Sequence, residues 1–95
     1  MRLKREQAEF LKQSFKKYLP DPAVYLFGSR IHDDKKGGDI DILVIGEKEL
    51  TGEQKRAVKI EFYKAFGLQK IDIVSFKENE PSTFKKLALL EAEKL

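Results

Sequence analysis

Ninety-five residues, 41% hydrophobic and 37% charged, suffice for one compact domain spanning 1–95 and exclude two domains with separate cores. The absence of cysteine excludes a disulfide framework and a thiolate metal site and fits a cytoplasmic protein, while the longest apolar run, Ala23–Phe27, falls far short of the ~20 residues of a membrane helix. Nineteen Lys and Arg against sixteen Asp and Glu give a net charge of +3 with the signs interspersed, a weak pull toward an anionic partner.

The basic N-terminus is followed by a mixed polar stretch, so no secretory signal is expected. Residues 3–19 place Ala8, Leu11, Phe15, Tyr18 and Leu19 at steps of three and four, which predicts a helix with one apolar face, ended by Pro20 and Pro22. Ala23–Phe27 is apolar and rich in β-formers, a buried strand stopped by Gly28 and Ser29. Residues 30–38 are polar and close on Gly37 and Gly38, an exposed loop. A second strand spans 39–45 and stops at Gly46. Thr51 and Gln54 form a capping box for a helix over 51–66, whose stripe of Val58, Phe62, Ala65 and Phe66 ends before Gly67. Residues 70–76 alternate around Ile71, Ile73 and Val74 as a third strand, and Pro81 opens a last helix with Phe84, Leu87, Ala88 and Leu95 on one face. The order is α-β-β-α-β-α, an α+β domain with a small mixed sheet. Its helical crossover makes strands two and three parallel, while the first two are antiparallel. There is no internal repeat and no low-complexity segment.

Asp39 and Asp41 stand two apart on the second strand, so their side chains share a face and Ile40 and Ile42 take the other. Aspartate is among the poorest strand formers, and two unit charges ~6 Å apart repel by roughly 3 kcal/mol at an effective dielectric of about 20. A divalent cation offsets that cost, and carboxylate oxygens suit magnesium. Asp72 is again a single acid between isoleucines. With the third strand beside the second, it joins the pair, and three such ligands can hold two metal ions for in-line phosphoryl chemistry. Where the first strand ends, Gly28 lets the backbone approach a phosphate, Ser29 donates to its oxygens, and Arg30 adds a fork-shaped cation.

Leu26-Phe-Gly-Ser-Arg30, Gly37-Gly-Asp-Ile-Asp-Ile-Leu-Val44 and the later Asp72 together resemble the DNA polymerase β-like nucleotidyltransferases, in particular their minimal nucleotidyltransferase (MNT) branch, across essentially the whole chain. The resemblance implies a polymerase β palm-like fold and a magnesium-dependent enzyme that moves a nucleoside monophosphate, AMP from ATP above all, to a hydroxyl. By it Gly28 and Ser29 grip the triphosphate with Arg30, Lys36 and Gly38 beside them, Asp39 and Asp41 bind two Mg2+ ions, and Asp72 completes the metal site and helps activate the hydroxyl. Many relatives have Ser where this chain has Gly38. The chain has no room for the helical domain of larger relatives, and in the MNT branch the partner is a small all-helical HEPN protein, the two resembling a toxin–antitoxin pair in which AMP is placed on a partner tyrosine.

Two other readings stand beside this one: a non-catalytic, antitoxin-like module that binds a helical partner, and a transferase acting on an RNA terminus. Lys35 and Lys36 border the proposed site and can attract a triphosphate or an RNA backbone, whereas Lys16–Lys17 and Lys85–Lys86 read as solvated helix faces. His32 reads as a solvated loop residue, and Tyr25, Phe27, Phe62 and Phe66 as core. A chain that supplies half a site is expected to associate, with itself or with a partner.

Overall fold

The computed structural model describes residues 3–27, 40–67 and 69–95. The chain runs α1 (Arg5–Lys16), β1 (Ala23–Phe27), β2 (Ile40–Gly46), α2 (Gly52–Phe66), β3 (Ile71–Lys77), α3 (Thr83–Glu91) and β4 (Glu93–Lys94). The sheet order is β3-β2-β1-β4. β1 is antiparallel to β2, and β2 is parallel to β3 through the α2 crossover.

Strand alternation divides the sheet into two unlike faces. Val24 and Leu26 of β1, Ile40, Ile42 and Val44 of β2, and Ile71 and Ile73 of β3 join Leu11 and Phe15 of α1 and Val58 and Phe62 of α2 in one buried cluster. Phe10 of α1 meets Phe62 and Phe66 of α2 edge to face, with centroids 6.1 and 5.4 Å away, and Phe62 and Phe66 lie tilted against each other at 4.8 Å. α3 lies on the opposite face, where the Phe84 ring meets Phe27 at 5.9 Å and Phe76 at 6.1 Å. α3 itself has no buried residue.

Local chemistry sets the ends of the elements. Thr51 caps α2: its Oγ1 accepts from the Gln54 N–H, and its own N–H donates to Gln54 Oε1, both at 3.0 Å. Gly67 closes the helix at φ 90°, a conformation open to glycine and strained for other residues. Buried Ser75 on β3 accepts from the Leu50 N–H at 2.9 Å, tying the approach to α2 to the sheet.

Three expectations need correction at the C-terminus. α3 is capped by Ser82, whose Oγ accepts from the Lys85 N–H, so Pro81 stands outside the helix. The helix stops at Glu91 because Ala92 turns extended, and the chain continues as β4 beside Tyr25 and Leu26, an element missing from the α-β-β-α-β-α order. Leu95 therefore belongs to the sheet, its N–H donating to the Val24 carbonyl at 2.8 Å, and not to the helix face. Lys85 is also more than a solvated charge, since its Nζ donates to the carbonyls of Lys77 and Glu78 and fastens α3 to the end of β3. Tyr25 and Phe27 are half-buried on the α3 face, outside the main core. Among the described residues no helix is long and apolar enough to cross a membrane.

Candidate active site

The α3 face carries the charges. On β2 the residues that point away from the core are Asp41, Leu43 and Ile45; on β3 they are Asp72, Val74 and Phe76. The parallel register sets Asp41 directly against Asp72, Leu43 against Val74 and Ile45 against Phe76. Two carboxylates thus stand on neighbouring strands about 4.8 Å apart at the backbone, at the end of the sheet where β1 finishes, since Phe27 is the β1 partner of Asp41. Both acids are half-buried. Leu43, the next outward residue of β2, is completely buried, so the pair sits where an apolar surface gives way to solvent.

Of the residues singled out in the sequence, the structure brings together Asp41 and Asp72. Gly28, Ser29, Arg30, His32, Lys35, Lys36, Gly38 and Asp39 lie outside the described residues. Among the described residues no group of three or more His, Cys, Asp or Glu is placed to hold a metal, and Asp39, the third acid of the proposed set, lies outside them. The two acids that are described fit a hard divalent ion: they offer carboxylate oxygens from adjacent strands, where a cation shared between them offsets the repulsion of like charges set opposite each other.

A second feature adjoins Asp72. A cleft of about 260 Å³ runs along the free edge of β3, lined by Lys59, Ile60 and Tyr63 of α2, by Gln69 and Lys70 ahead of β3, and by Asp72 itself. Ile60 and Tyr63 are about half exposed, at 47% and 52%. The helical stripe read from Val58 and Phe62 passed over these residues. Their signal is that two large apolar side chains fall off the stripe, onto the face that the core does not use.

A crossover-built mixed sheet with acids paired on its open face is suited to phosphoryl chemistry assisted by a divalent ion. The family model described as Polymerase beta, Nucleotidyltransferase matches residues 9–95, and the chain belongs to that family. It is a nucleotidyltransferase domain, and the family generally works with a divalent metal. Three solved structures share the fold. One is a complex of tri-AMPylated Shewanella oneidensis HEPN toxin with MNT antitoxin, at 17% identity over 95% of this chain and 69% of the other, with a TM-score of 0.62. Another is a toxin–antitoxin MntA complex in which two aspartates are replaced by glutamate, at 16% identity over 92% and 70% with a TM-score of 0.64. The third is the toxin–antitoxin pair MntA–HepT, at 16% over 96% and 70% with a TM-score of 0.61. Comparison with curated proteins finds no match.

Proposed function

We propose that this chain is a minimal nucleotidyltransferase that moves AMP from ATP to a hydroxyl of a small all-helical HEPN protein, as the antitoxin of a toxin–antitoxin pair. The observation that carries the proposal is the register of Asp41 against Asp72 on the open face of a polymerase beta-type sheet. The MNT reading is supported by the fold shared with an MNT antitoxin complex whose HEPN toxin is tri-AMPylated.

Asp39, Asp41 and Asp72 hold the metal. Two Mg2+ ions, when bound, neutralise phosphate charge and acidify the attacking hydroxyl. Gly28 and Ser29 grip the triphosphate through backbone N–H groups and the serine hydroxyl, with Gly38 leaving room for close approach. The acceptor oxygen bonds to the α-phosphorus, the bond from that phosphorus to the oxygen bridging to the β-phosphate breaks, and pyrophosphate leaves. The hydroxyl proton passes to the Asp72 carboxylate and then to water. Arg30 and Lys36 offset charge on the departing pyrophosphate.

The test is transfer from labelled ATP with magnesium to a purified HEPN partner encoded alongside, with the modified residue located by mass spectrometry. We expect AMP on the partner, and loss of transfer in the double variant Asp39→Asn, Asp41→Asn. Undiminished transfer by that variant refutes the metal platform. Partner binding by the wild type without any transfer favours a binding module instead.

A further inference from the structure

We propose that the cleft along the free edge of β3 is the acceptor-docking surface, and that it receives an acidic stretch of polypeptide bearing the hydroxyl to be modified. The inference rests on the transferase reading and adds to it the side from which the acceptor enters and the residues that select it.

The side follows from topology. β1 and β3 flank β2 on opposite sides, and the Gly28–Ser29 pair assigned to the triphosphate follows β1 directly in the chain. In-line displacement places the entering oxygen and the leaving pyrophosphate on opposite sides of the α-phosphorus. With the leaving group toward β1, the acceptor enters across β3. Asp72 stands on that strand and is also a wall of the cleft, so the docking surface is continuous with the acid assigned to the acceptor proton.

Composition of the surface identifies the partner. Ile60 and Tyr63 form an exposed apolar centre, with Lys59 and Lys70 at its margin and Arg56 one helical turn before Ile60. The two ion pairs among the described residues, Lys12–Glu9 and Lys17–Glu61, use none of these three cations. One acid, Glu53, lies a further turn along the same helix face. An apolar centre containing tyrosine, with a charged rim, is the anatomy of a protein interface, and the cationic rim complements an acidic partner. At about 260 Å³ the cleft suits an anchoring side chain more than a nucleotide. Among the described lining residues Tyr63 is the one aromatic ring, so successive bases have no stacking platform, which sets nucleic acid in second place.

The test uses the full chain and a fluorescein-labelled random copolymer of glutamate and tyrosine, read by fluorescence anisotropy. A lysine–tyrosine copolymer and a 20-nucleotide single-stranded RNA are the comparison probes. We expect the acidic copolymer to bind best. The double variant Lys59→Glu, Lys70→Glu should weaken it at least tenfold and Tyr63→Ala severalfold, while the equal-charge control Lys16→Glu, Lys48→Glu, at exposed positions away from the cleft, leaves it unchanged. Equal loss in the control pair, no loss in the cleft pair, or preferential binding of the RNA overturns the proposal. Melting of the wild type with magnesium and ATP, run in parallel, separates the two claims. A shift with nucleotide but no binding of the copolymer through the cleft defeats the docking surface alone. Binding through the cleft without any nucleotide shift or transfer defeats the transferase reading and the acceptor role with it.

Discussion

Replacing Asp72 by Asn isolates the electrostatic cost of the paired acids. Asp41 and Asp72 face each other in register on adjacent strands. Two carboxylates ~5 Å apart repel by roughly 3 kcal/mol at an effective dielectric of about 20, and solvent screening together with the other interaction that Asp41 makes lowers the net effect to about 1 kcal/mol at most. For a chain of this length the unfolding entropy near the midpoint is about 0.2 kcal/mol per degree, so the variant should melt about 5 °C above the wild type in EDTA. Magnesium should reverse the order. A ligand present at a hundredfold excess over its Kd adds roughly 2.7 kcal/mol, or about 13 °C here, to a chain whose site is complete. The variant has lost one charged ligand and should gain much less. Circular dichroism melts in EDTA and in a magnesium series read both effects. If the variant melts below the wild type in EDTA, or shifts with magnesium as much as the wild type does, the two acids do not form a repelling, metal-binding pair.

Three further perturbations test the frame that presents these acids. Ser75→Ala leaves the Leu50 N–H without the partner it has in this structure, at a cost of about 1–3 kcal/mol measurable by urea denaturation, and Ser75→Thr should recover part of it if the larger side chain fits. Phe62→Ala removes a fully buried ring that packs on Phe10 and Phe66 and should cost about 3–5 kcal/mol, enough to unfold much of the population at elevated temperature, as thermal melts would record. Phe84→Ala removes the ring that joins α3 to Phe27 and Phe76 and should cost only about 1–2 kcal/mol globally, while hydrogen exchange quickens selectively in α3. Unchanged α3 exchange would mean that the contacts of Lys85 hold the helix without the ring.

What was legible in the sequence was whatever short-range chemistry specifies. The Thr51–Gln54 box and Gly67 mark the ends of α2 from within a few residues, and the observed helix matches them. The alternation around Ile40, Ile42, Ile71 and Ile73 fixed the inward faces of β2 and β3, and so the outward direction of Asp41 and Asp72. β4 was not legible: two charged residues carry no strand pattern, and they are extended because Tyr25 and Leu26 offer an unfilled edge. Leu95 was misplaced for a related reason. Its spacing from Phe84 and Ala88 suits a helix, and only the turn at Ala92 takes it to the sheet. The pairing of Asp41 with Asp72 stood between these cases. Local alternation places each acid on a strand and a face, but their register depends on how the α2 crossover seats β3 against β2.

The division of labour between the two sheet faces explains how so small a domain tolerates such a pair. Like charges on neighbouring strands push the strands apart at one point of the sheet, and a sheet held from that side alone would yield there. Here the restraint comes from the opposite face, where Ile40, Ile42, Ile71 and Ile73 are sealed beneath α1 and α2 within two residues of each acid. Burial of four such side chains contributes several kcal/mol, at roughly 1.5–3 kcal/mol each, against a net repulsion of about 1 kcal/mol. The strands are therefore held in register beneath both carboxylates, which stay side by side on the other face. The same logic accounts for α3, which has no buried residue and rests on the charged face through the Phe84 ring, on Phe27 and Phe76. A helix sealed across that face would exclude the substrate along with the solvent.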